Sequence, residues 1–287
     1  MKKIDWSKVL IRSSCIGKIM TEGKGSVLTE KQAAELERLQ GLPKLTEKQS
    51  ILVSELIQKR DAPPALSDTC TSYLREVYQF VRYGKESVGG AQRSIYVQKG
   101  NAMEHESLMI MGRFYGVQLE KNTIRKNGTH LTGEADAIKE ELKTSWDAKS
   151  AWDMESLLSH VPNPDKPDQR LYEQAYEYQG QGYMKLYNLD RHFLCYTLVS
   201  MPQEMIEWEK EKIRRAINPV TEENIEFQEA IQKLEHNMTF DEIPIEQRIV
   251  PFTFYRDDEM MYKIEKRVEE CRIWLEKFEK LHLSLHL

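Results

Sequence analysis

The sequence lacks long apolar runs, clustered cysteines and an excess of positive charge, and each absence removes a class of function. No stretch approaches the ~18 uninterrupted apolar residues of a membrane span, so none is expected. The start, MKKIDWSKVL, has three lysines but no apolar core, so no signal peptide is expected there. Cys15, Cys70, Cys195 and Cys271 are far apart and form no Cys-x-x-Cys. That excludes a sequence-recognisable zinc or iron–sulfur cluster and favours free thiols in a reducing cytoplasm. The seven histidines form no His-Glu-x-x-His, and no Ser-His-Asp or Cys-His signature is present. Gly23-Lys24-Gly25-Ser26 lacks the spacing of a phosphate loop and reads as an ordinary turn. There is no internal repeat and no low-complexity tract. The net charge of −5 means that any nucleic-acid role needs a local basic groove on an acidic body.

What remains is an ordinary globular balance: 287 residues, 40% hydrophobic and 30% charged. No domain boundary stands out, so a single domain over 1–287 is expected. It carries a helical N-terminal segment (about 1–90) and a helical C-terminal extension (about 203–287). Leu36, Leu39, Leu52 and Leu56 recur at helical spacing over 29–60, broken at Gly41-Leu42-Pro43. Pro63-Pro64 marks a loop. Ser67 or Asp68 can cap a helix bearing Leu74, Val77, Tyr78 and Val81. Gly84 and Gly89-Gly90 bound a connection. Met103, Leu108, Met111 and Phe114 mark the core face of a helix over 101–116. Strands are expected over 117–125, 129–138 and 141–146, a helix over 170–188 and a buried strand over 192–200. Helices follow over 203–216 and 221–236, then the extended piece FTFYR. Asp257 can cap a last helix carrying Met261, Ile264, Val268, Ile273 and Trp274. This order predicts an α/β layered fold.

Residues 131–146, LTGEADAIKEELKTSW, carry the densest chemistry. Asp136 ends one apolar-flanked strand, and Glu141 and Lys143 share a face of the next, since side chains alternate along a strand. If Lys139-Glu140 is a tight turn, Ile138 pairs with Glu141 and Asp136 with Lys143, and cross-strand partners share a face. Two carboxylates and an ammonium on one patch suit a hard divalent cation and a water nucleophile. A surface hairpin with its charges in solvent fits the same pattern. Glu104, on a helix beside Met103 and Leu108, is a candidate third ligand, and Glu106 competes for the role. They are two residues apart, about 200° around the helix, so only one of them can face the site. In YEYQGQGY (176–183), Gln179 and Tyr183 lie one turn apart on a common face. Two glycines within that helix permit close approach to a strand.

These pieces resemble, in order, the PD-(D/E)xK nuclease superfamily, and within it the lambda-exonuclease and YqaJ-type phage recombination nucleases. The resemblance runs through IRSSCIGKIM (11–20), SDTCTSYLREVY, KGNAMEHES, TGEADAI, EELKTSWD, YEYQGQGYMKLY and RDDEMMYKIEKRVEECRIWL. It implies a restriction-endonuclease-like core, a small mixed sheet flanked by helices. It implies that Glu104, Asp136, Glu141 and the Leu142 carbonyl hold Mg²⁺, with Mn²⁺ able to substitute, and that Lys143 positions or activates water. Gln179 and Tyr183 match the motif on the helix behind the site, and Tyr176 matches an additional aromatic. Arg12, Ser13, Ser14 and Lys18, with Thr144 and Ser145, become candidates for DNA phosphate contacts. Ala135-Asp136 stands where the family has Pro-Asp, and the Asp136–Glu141 spacing is shorter than usual.

The expected activity is therefore Mg²⁺-dependent hydrolysis of DNA from duplex ends, 5′ to 3′, in phage-type recombination. The resemblance also implies the host cytoplasm for a phage-encoded protein, a single-strand annealing recombinase as partner, and a homotrimer. A structure-specific or restriction-like endonuclease with the same site is the first alternative. A DNA-binding recombination protein with impaired catalysis is the second.

Overall fold

The computed structural model describes residues 4–23, 28–61, 65–86, 94–219, 221 and 223–285. The sequence readings at Pro63-Pro64, Gly89-Gly90 and most of Gly23–Ser26 lie outside these residues. Along the chain run β1 (Ile11–Arg12), α1 (Ile16–Ile19), α2 (Glu30–Gln40), α3 (Glu47–Asp61), α4 (Asp68–Tyr83) and α5 (Ile95–Tyr115). Next come β2 (Lys126–Asn127), β3 (Leu131–Gly133), β4 (Ala137–Lys139), β5 (Thr144–Ser150), α6 (Met154–Leu158), α7 (Gln174–Tyr187) and β6 (Arg191–Thr197). The chain continues through α8 (Gln203–Ile217), α9 (Ile225–Met238), β7 (Ile249–Tyr255) and α10 (Asp258–Ser284). The α/β class and the small mixed sheets flanked by helices agree with the sequence.

The chain packs as two compact units. One comprises residues 1–9, 15–86 and 264–287, and the other residues 10–14 and 87–263. In the first, the break at Gly41-Leu42-Pro43 separates α2 from α3, and a Thr29–Gln32 capping box starts α2. The Ser67 hydroxyl accepts the Cys70 N–H at 3.0 Å and starts α4. Gly84, at φ +64°, closes α4 in the left-handed conformation that glycine favours. Leu36, Leu39, Leu56, Leu74, Tyr78, Ile264 and Val268 are buried, whereas Leu52, Val81 and Ile273 are exposed.

The second unit is built on a four-stranded sheet in the order β4-β5-β6-β7, antiparallel except for the parallel pair β5–β6. Strand alternation divides its core in two. Leu194, Tyr196, Met184, Tyr187, Leu189 and Phe254 pack on the α7 face. Trp146, Ala137, Cys195, Leu108, Met111 and Ile249 pack on the α5 face. Phe114 turns outward, 38% exposed. Three short strands, β1-β3-β2, form a second sheet with β1 parallel to β3.

Three strand expectations change. Residues 117–125 form no strand. Asn122 instead accepts the Ile124 N–H at 3.1 Å and donates to the Ala135 carbonyl at 3.0 Å, local bonds that compete with a ladder. The stretch 129–138 splits into β3 and β4, which belong to different sheets. The hairpin strand begins at Thr144, because Glu140–Leu142 form a 3₁₀ turn and Lys143 takes φ +51°.

Candidate active site

The hairpin register decides which side chains meet. Ala137 pairs with Trp146, Ile138 with Ser145 and Lys139 with Thr144. Continued by one step, this sets Asp136 opposite Asp147, where the tight-turn reading sets it opposite Lys143. The slip is even, so Asp136 keeps its face and only its partner changes. Asp147 and Lys149 alternate with Trp146 and Ala148, whose side chains lie toward the α5 core, and so project toward α7.

On that face the polar groups interlock. Asp136 Oδ2 accepts the Ala148 N–H at 2.8 Å. Asp147, buried, accepts Gln179 Nε2 on Oδ1 at 3.1 Å and pairs through Oδ2 with Lys149 Nζ. Gln179 also donates to the Tyr183 hydroxyl at 2.9 Å, and the Lys149 ammonium lies 4.9 Å from the Tyr176 ring centroid. The motif helix can lie this close because Gly180 faces His192. A Cβ there would stand 2.4 Å from His192 Cδ2. His192 is held by Ser145, whose Oγ is 2.9 Å from Nδ1, and stacks on Phe254.

The electrostatics follow from two acids in a dry place. Burial, and then the neighbouring Asp147, push the Asp136 carboxyl up to about 8. Burial opposes the charge on Lys149, yet Asp147 and Asp136 together hold its pKa above the ordinary lysine value. Burial first, and then the two aspartates, raise the Tyr183 phenol well above its ordinary value. Burial depresses His192 to about 4, so the imidazole is neutral.

Several sequence assignments change place. Glu141 is exposed in the 3₁₀ turn. Lys143 is exposed at the hairpin end, roughly 13 Å along the strand from Asp147 at the usual rise per residue. The Leu142 carbonyl accepts the Thr144 hydroxyl at 2.8 Å. The Glu-Leu-Lys triplet therefore forms the turn, and the carboxylate and lysine that stand beside Asp136 on the α7 face are Asp147 and Lys149. Thr144 and Ser145 are fully buried and bonded to Leu142 and His192, so neither faces a phosphate.

Ser13 is buried, with its hydroxyl 3.3 Å from the Thr132 carbonyl it donates to, whereas Ser14 and Arg12 are exposed. Lys18 belongs to the other unit, 4.0 Å from Glu76 and 5.3 Å from the Tyr73 ring centroid. Glu104 is half-buried, 2.6 Å from Lys121, and its charge reaches Asp136; Glu106 is exposed.

The donor set fits a hard divalent cation: it is oxygen-only, with two carboxylates facing each other across the hairpin. Among the described residues no three acidic, histidine or cysteine side chains stand together as ready ligands.

No protein-family profile matches the sequence, and no curated protein matches it either. Solved structures do. A phage-related exonuclease from Haemophilus somnus 129PT is 23% identical, with a TM-score of 0.61 over 96% of this chain and 97% of that one. The chain shares the fold of that structure. An alkaline exonuclease from Laribacter hongkongensis is 11% identical, with a TM-score of 0.51 over 98% of both chains. Both likenesses agree with the fold that the sequence motifs imply.

Proposed function

We propose that this protein is a metal-dependent deoxyribonuclease that degrades DNA from duplex ends. One observation carries the reading: Asp136 faces Asp147 across the hairpin, Lys149 follows on the same face, and Gln179 and Tyr183 close the site from behind. The exonuclease fold supports it. Asp136 and Asp147 would hold the ion, with Glu104 as third ligand. A divalent ion there supplies charge neutralisation at the phosphorus and a more acidic water.

The remaining work falls to the chain. Gln179 fixes the Asp147 carboxylate by donating to Oδ1. Lys149 stays an ammonium and offers a compact positive charge beside the acids, where the attacking water and the phosphate oxygens converge. Its contact with the Tyr176 face limits how far it can swing. Hydrolysis from the 5′ end is the polarity we propose, on the strength of the sequence resemblance.

The test is degradation of linear duplex labelled at either end, with Mg²⁺ and with EDTA, beside a closed circle. Mg²⁺-dependent loss of linear DNA, with release beginning at the 5′ label, is expected, while the circle survives. Cleavage of the circle would establish an endonuclease instead.

A further inference from the structure

We propose that Lys121 is a second functional cation of this site. It holds Glu104 while no metal is bound and turns to a DNA phosphate when a divalent ion takes the carboxylates. The inference rests on the nuclease reading above.

Lys121 Nζ lies 2.6 Å from Glu104 Oε2. Its other influential charges are Asp136 and Glu134, so its surroundings are the acidic side of the site. The backbone beside it is fixed: the Asn122 N–H donates to the Asp136 carbonyl at 2.8 Å, and the Asn122 side chain reaches Ala135 and Tyr187. The side chain itself is 53% exposed, on a flexible four-carbon stem. The anchor therefore places the ammonium at the acids, and the stem lets it leave.

The other cation on this face is committed. Lys149 sits between Asp147 and the Tyr176 ring. While Glu104 faces Lys121, Asp136 and Asp147 lack a third acidic side chain beside them, in keeping with the absence of a three-ligand side-chain cluster among the described residues. An ion that draws Glu104 inward displaces Lys121, and the released ammonium points toward the place where phosphate charge arrives. An exposed ion pair of this kind shifts an equilibrium by no more than about fivefold, so it opposes metal binding without preventing it.

Lys121→Gln in the whole chain tests this, with Mn²⁺ alone followed by calorimetry and duplex affinity measured against salt in Ca²⁺. The expected result is Mn²⁺ affinity raised about three- to fivefold, together with a salt slope for DNA lowered by about one. An unchanged Mn²⁺ affinity or an unchanged slope overturns the proposal. Asp147→Asn, carried alongside, separates the two claims. If it loses Mn²⁺ while Lys121→Gln behaves as wild type, only the role of Lys121 falls. If it binds Mn²⁺ as wild type does, the nuclease site falls and Lys121 with it. Lys121 is exposed, so the melting temperature of the variant should match wild type.

Discussion

His192 gives the protein a measurable acid weakness. The ring is 1% exposed, bonded to Ser145, stacked on Phe254 and pressed against Gly180, and burial lowers its pKa from 6.5 to about 4. In the unfolded chain it takes a proton near pH 6.5; in the folded chain it does not until about pH 4. A base depressed in this way contributes stability that is complete above pH 6.5 and is lost as the pH falls toward 4. The gap corresponds to about 3 kcal/mol, lost at up to about 1.4 kcal/mol per pH unit. Asp136 acts with the opposite sign, so the wild-type profile alone does not isolate the effect. Urea unfolding of wild type and His192→Phe in EDTA at pH 7, 6 and 5 does. The deficit of the variant should shrink by about 1 kcal/mol or more between pH 7 and pH 5. A deficit equal at both ends would show that His192 is not held neutral, and the electrostatic account of this face would fail.

Asp136 is an acid raised from 3.8 to about 8, so the folded state keeps a proton that the unfolded state releases, and stability falls as the pH rises between those values. Asp136→Asn should therefore melt above wild type in EDTA at pH 8, with the advantage fading toward pH 5; a lower melting temperature at pH 8 would count against a carboxyl raised by burial and by Asp147. Gly180→Ala gains about 1 kcal/mol of helix propensity but drives a Cβ to 2.4 Å from a ring that cannot move, which costs about 1–3 kcal/mol. A net loss of stability and a larger loss of nuclease rate are expected, with the clash relieved when His192→Ala is added, and additive losses in the double variant would place the two residues apart. Gln179→Leu removes the donor that orients Asp147, so the rate should fall at saturating DNA while binding in Ca²⁺ is kept; equal losses of both would make Gln179 a DNA contact.

The layered fold, most helices and the α7 pair were legible in the sequence, because they rest on local signals. Ser67 caps α4 as its position predicts, and Gln179 and Tyr183 share a face because helical spacing requires it. The acid-x-lysine triplet was harder. Glu141-Leu142-Lys143 and Asp147-Ala148-Lys149 both satisfy an acid-x-lysine pattern, and periodicity cannot rank them. Two physical cues favoured the second. Thr144, Ser145 and Trp146 have better strand chemistry than Glu140 and Glu141, and the short Asp136–Glu141 spacing leaves room for a two-residue turn at most. The Lys121–Glu104 pair bridges distant segments, and no spacing rule anticipates it. Thr144 and Ser145 looked available beside the lysine, but the register shift buries both of them.

The most direct test of the central claim is the hydrolysis rate of end-labelled linear duplex in Mg²⁺ for Asp147→Asn, Lys149→Met, Glu141→Gln and Lys143→Met, measured side by side. The account predicts that the first two lose activity by about a hundredfold or more while their folds persist, and that the last two stay near wild type. Full activity in Asp147→Asn with inactive Glu141→Gln would contradict it and return the site to the hairpin turn.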